Sequence, residues 1–121
     1  MIATIEKSFC LDAEALETIE DNCCFTCHYW ASEIWFNIIP DSPESSTIKV
    51  VEEHPEMEGS NTYYFSVSEL EKAFEPCIKG VNYEIASYLV DFIDTGDAGH
   101  LDADACDCLL QFACFGELVY G

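Results

Sequence analysis

The chain has 121 residues, with 24 Asp plus Glu set against 4 Lys and no Arg, a formal net charge of −20. Half of the residues are apolar and 13% are aromatic, which is too rich for a disordered acidic tail and enough for one real core, so residues 1–121 are expected to form one domain. So few cations cannot neutralise phosphates, which excludes nucleic acid and anionic membrane surfaces as direct partners.

In chain order, residues 2–9 alternate loosely and suggest a first strand. Residues 12–24 read as a helix, with Ala13, Leu16, Ile19 and Cys23 at helical spacing and Glu14, Glu17 and Asp21 on the opposite face. Residues 29–39 are aromatic and β-branched and form a long strand, stopped by Pro40-Asp41-Ser42-Pro43. Residues 47–53 and 62–67 give two more strands around an acidic loop that carries Pro55 and Gly59. Ser68-Glu69-Leu70-Glu71 reads as a capping box for a helix to about Lys79, with Pro76 as a kink or early end and Gly80 as its stop. Residues 83–93 are a further helix and 95–99 a break. Asp102 or Asp104 caps a last helix through Leu109, Leu110, Phe112 and Ala113, which Gly116 ends. The fold class expected is α+β: a small antiparallel sheet of about three or four strands with three or four helices packed on it. Tyr29, Trp30, Trp35, Phe112, Phe115, Val119 and Tyr120 are expected in the core, the last four in a terminal helix and strand.

Residues 1–7 lack the basic start and apolar run of a secretory signal, and no apolar stretch approaches a membrane span, so a cytoplasmic protein is expected. In that compartment the eight cysteines are expected as reduced thiols, with Cys10, Cys77, Cys106 and Cys114 filling the core. No cofactor is expected. The alternative is structural zinc on Cys24, Cys27, Cys106 and Cys108, although the second pair is one residue tighter than a Cys-x-x-Cys. The Asp-rich stretch from Asp94 resembles a calcium loop but fails in detail. Its third, fifth and twelfth positions are Gly96, Ala98 and Ala105. With no Gly-rich phosphate loop, no Arg, and His28, His54 and His100 each isolated, no catalytic residues are assigned and no enzyme is expected.

What remains is the charge. Three acidic groups are available: Glu14, Glu17 and Asp21; Glu52, Glu53, Glu56 and Glu58; and Asp91, Asp94, Asp97, Asp102, Asp104 and Asp107. Rows of carboxylates at a density like that of a duplex, about one charge per 1.7 Å, complement a protein groove built to hold nucleic acid. These thirteen residues are the candidate partner-binding set.

Several segments carry a resemblance. They are Tyr29-Trp30 after a helix, Ser66-Val67-Ser68-Glu69-Leu70, the Asp-rich turn, and the ending Leu110-Gln111-Phe112-Ala113-Cys114-Phe115-Gly116-Glu117-Leu118-Val119-Tyr120-Gly121. Together they span about half of the chain, and it resembles the small acidic proteins of phages and plasmids. Cys23 to Cys27 has no counterpart in that pattern. In size and charge the chain is similar to DNA-mimic anti-CRISPR and antirestriction proteins, a likeness of composition alone. The resemblance implies a mobile-element setting and an inhibitor of a basic, nucleic-acid-binding host defence complex. The alternative is a zinc-stabilised structural or adaptor domain whose acidity is incidental.

Overall fold

A computed structural model describes residues 9–121; the strand expected over residues 2–9 lies almost wholly outside them. Helix α1 (Ala13–Thr26) leads to strand β1 (Ala31–Asn37), β2 (Thr47–Glu52) and β3 (Asn61–Ser66), followed by α2 (Val67–Gly80), α3 (Tyr83–Thr95) and α4 (Ala103–Phe115). This is the α+β class expected from the sequence. The sheet is an antiparallel meander in the order β1-β2-β3. Its register sets Phe36, Ile48 and Phe65 side by side on the covered face, where all three are buried. One residue along, Trp35, Lys49 and Tyr64 share the opposite, open face, as the two-residue period of a strand requires.

Each helix starts where a side chain can take the free amides. Asp12 accepts from Ala15 N at 2.8 Å, Asn82 from Ile85 N at 2.9 Å and Asp102 from Asp104 N at 3.0 Å. For α2 the capping box sits two residues earlier than expected. Ser66 Oγ accepts from Glu69 N, and Glu69 reaches back to Ser66 N. Glu71 is taken by another task and accepts from Leu11 N at 2.9 Å. Pro76 does not end α2, which runs on to Gly80; it lies on the exposed side, where water can serve the carbonyl it leaves unpaired. Gly80 is likewise not a left-handed stop. It lets α2 approach α4, since a Cβ there would stand 2.6 Å from Phe112 Cζ.

Helix α4 is the hub. It packs against α1, α2 and α3, and its Ala105, Cys106, Leu109 and Leu110 are buried. Helix α1 also covers β1, with Ala15, Leu16, Ile19 and Cys23 facing inward. Four residues expected in the core are corrected: Trp35, Tyr29, Val119 and Cys10, the last an exposed thiol. Trp35 is half exposed because its register puts it on the open sheet face, while Trp30, the residue just before β1, is fully buried. Tyr29 is partly exposed, and residues 117–121 form no strand, so Val119 is exposed as well.

Candidate protein-binding surface

The tail is nevertheless held, and the residue that holds it was not foreseen. Gln111, fully buried on α4, presents its amide like a neighbouring strand. Its Oε1 accepts from Val119 N at 3.0 Å and Tyr120 N at 2.8 Å, and its Nε2 donates to Tyr120 O at 3.2 Å. Tyr120 thereby packs on Trp30 and His54, both stacked with its ring at centroid distances of 5.8 and 4.9 Å. The Tyr120 hydroxyl donates to Glu52, which also accepts from Tyr63 Oη at 3.1 Å and Asn61 Nδ2 at 3.2 Å. The hydrogen bond to Glu52, then burial, pushes the Tyr120 phenol up to about 12.

Asp107 is the second centre of this polar knot. Its oxygens accept from Tyr29 Oη at 2.7 Å, Trp30 Nε1 at 2.9 Å and Gln111 Nε2 at 3.0 Å. Cys27 Sγ donates to it at 3.5 Å. Two members of the candidate set are therefore corrected. Glu52 is buried on the covered sheet face and Asp107 is half buried, and both are committed to internal donors rather than offered to a partner. Asp102 is half buried as the cap of α4, and Asp97 Oδ1 accepts from Gly99 N at 2.8 Å.

Glu14, Glu17, Asp21, Glu53, Glu56, Glu58, Asp91, Asp94, Asp97 and Asp104 are exposed. Helical spacing keeps the first three on the outer side of α1. The end of that helix is tied to the start of α4: Asn22 Nδ2 donates to Leu101 O at 2.8 Å and Thr26 Oγ1 to Ala103 O at 3.4 Å. The turn at Ala98–His100 packs on α1 and α3. The end of α1, which carries exposed Asp21, thus adjoins the Asp97–Asp104 segment, and the exposed carboxylates of α1 and of that segment make up an acidic face. The loop after β2 carries Glu53, Glu56 and Glu58 and hangs from a separate tie, Glu53 N to Trp30 O at 2.8 Å. The ion pairs Lys49–Glu33 at 3.2 Å and Lys79–Glu75 at 3.1 Å involve none of Glu14, Glu17, Asp21 or Asp104. Beside the acidic face lies an open cleft of about 780 Å³ between the end of α1, the α2–α3 junction, α4 and the tail. Exposed Phe25 lines it together with Asp104 and Leu118.

All eight cysteines are free thiols. Burial raises Cys106 to about 12 and Cys114 to about 12, and pushes Cys77 up further. Of the thiols in the alternative zinc set, Cys27 donates to Asp107 and Cys24 is exposed beside Ile34 O. Among the described residues no group of three or more His, Cys, Asp or Glu is placed to hold a metal ion. No helix among them is long and apolar enough to cross a membrane.

No family model, no curated protein and no solved structure matches the chain.

Proposed function

We propose that this protein is a non-enzymatic inhibitor that occupies the nucleic-acid groove of a basic host defence complex, such as a CRISPR–Cas effector or a restriction enzyme. What carries the reading is the segregation of charge. Helix α1, the loop 53–60 and residues 91–104 hold exposed carboxylates and no lysine, whereas the described lysines sit on β2 and α2. A cationic groove attracts such a face before contact, and salt weakens that attraction. Caps and internal hydrogen bonds hold parts of the face in place, so its charges are pre-positioned rather than carried on a loose chain.

The test is inhibition of a purified defence nuclease with its nucleic-acid substrate varied. Inhibition should be relieved by excess nucleic acid and by raised salt. Changing Glu14, Glu17, Asp21 and Asp104 together to Gln or Asn should weaken it by about tenfold or more. Inhibition that nucleic acid does not relieve, or that survives neutralisation of this group and of Glu53, Glu56 and Glu58, overturns the mechanism.

A further inference from the structure

The two edges of the sheet are treated differently. The β1 edge is blunted in three ways. Glu20 Oε2 accepts from Phe36 N at 2.8 Å, Cys24 Sγ lies 3.9 Å from Ile34 O, and a register irregularity falls between Ala31 and Glu33. Among the described residues the β3 edge has none of these protections. Its register against β2 is unbroken from Asn61 to Ser66. Because Phe36 N points away from β2, the alternation of an antiparallel ladder turns Ile48 and Phe65 toward each other. Thr62, Tyr64 and Ser66 are left facing outward. Ser66 N is taken by Glu69, as an outward amide must be. The N–H and C=O groups of Thr62 and Tyr64 have no partner among the described residues. Both side chains are exposed, Tyr64 by 73%.

We infer that β3 pairs with β3 of a second copy, antiparallel across a two-fold axis near Tyr63, to form one continuous sheet. Charge selects the occupant. Ser60-Asn61-Thr62-Tyr63-Tyr64-Phe65-Ser66 carries no charge, in a chain that otherwise holds 24 carboxylates. A basic partner strand would be met by carboxylates here, as the proposed groove is met elsewhere. Among the described strands, β3 is the one without a charge, so along it two copies of a −20 protein can approach without setting carboxylate against carboxylate. Edges of this kind, uncharged and free of Pro and bulge, are templates for pairing. With the axis at Tyr63, Thr62 of each copy exchanges backbone hydrogen bonds with Tyr64 of the other. Their side chains then form aromatic–β-branched pairs on the open face. The inference is independent of the inhibitory reading, since the acidic face lies on α1 and the α4 start rather than on β3.

Sedimentation of the full chain at rising concentration and salt tests it. The wild type should be a dimer, favoured by salt because screening lowers the repulsion between copies. Thr62→Pro removes only an outward N–H, so it should leave the thermal transition in place and give a monomer; Tyr64→Lys should do the same by charge. In a mixture of isotope-labelled and unlabelled protein, inter-copy nuclear Overhauser contacts should join Thr62 to Tyr64. A wild type that stays monomeric at NMR concentrations overturns the inference. So does a dimer that persists in both variants, or one whose inter-copy contacts lie outside β3.

Discussion

Glu52 and Glu53 are consecutive in the chain, yet Glu52 is buried among three donors while Glu53 stands exposed in the loop after β2. The same contrast separates two regions of the molecule. Under the tail, Glu52, Asp107 and Gln111 bind Tyr29, Trp30, Tyr63 and Tyr120 into one network, and each carboxylate accepts from at least three neutral donors. On the acidic face, Glu14, Glu17, Asp21 and Asp104 are exposed and lie outside both ion pairs. Position along the chain does not separate the two kinds of acid; the surface each one meets does. A buried carboxylate must have its hydrogen bonds made by the protein, whereas an exposed one is served by water and remains available.

Four measurements break or sharpen that comparison. The largest effect is expected from Asp107→Ala, which strands the indole N–H of fully buried Trp30 and removes the acceptor of Tyr29 and Gln111. Chemical denaturation should show a loss of about 3 kcal/mol, and Asp107→Asn, which keeps one acceptor oxygen, should recover part of it. Gln111→Ala comes next, at about 2 kcal/mol, because two tail N–H groups and a carbonyl lose their partner together. Limited proteolysis should then cleave within residues 117–121 faster than in the wild type.

Alkaline pH is the third. Cys77 and Cys106 are buried and their folded pKa values are raised, so the native state keeps protons that the unfolded chain gives up above about 8.5. Stability is therefore fully present below that pH. It should fall as pH rises toward 12, by about 1.4 kcal/mol per unit for each such thiol. A melting temperature unchanged from pH 8 to pH 10 contradicts this assignment. The smallest effect is expected on the acidic face. Changing Glu14, Glu17 and Asp21 to Gln should shift stability by no more than about 0.5 kcal/mol each, toward greater stability as self-repulsion falls. A loss as large as that of Asp107→Ala erases the distinction between the two regions.

The elements were legible because their signals are local. The alternation and turns around β2 and β3 gave ends within a residue or so of those observed, and Asp102 was among the caps anticipated for α4. Ser66 was missed as a cap because it is also the last residue of β3, and pattern alone assigns it to the strand. The helix did not end early at Pro76, because the buried Cys77 and Ile78 beyond it hold the last turn against the core despite the hydrogen bond the proline removes. The site divided the same way. Exposed rows such as Glu14, Glu17 and Asp21 follow from helical period. Glu52 follows the same strand pattern as its neighbours, and only tertiary structure supplies the donors that bury it. Gln111 did leave a signal, as the one polar side chain between Leu109 and Phe115, but its partners lie eight and nine residues further on, in a tail with no regular structure.

The two tryptophans turn these differences into light. Trp30 is wholly enclosed, bonded to Asp107 and stacked on Tyr120, whereas Trp35 stands 52% exposed on the open sheet face. A collisional quencher should reach Trp35 and spare Trp30, so the fluorescence divides into a responsive and a shielded fraction. Trp35 lies on β1, two strands from the uncharged edge, so its response should hardly change when that edge is altered. Release of the tail should shift the shielded fraction alone toward the red. The folded chain thus carries its own optical gauge of the Tyr120 latch, with a constant reference on the same molecule.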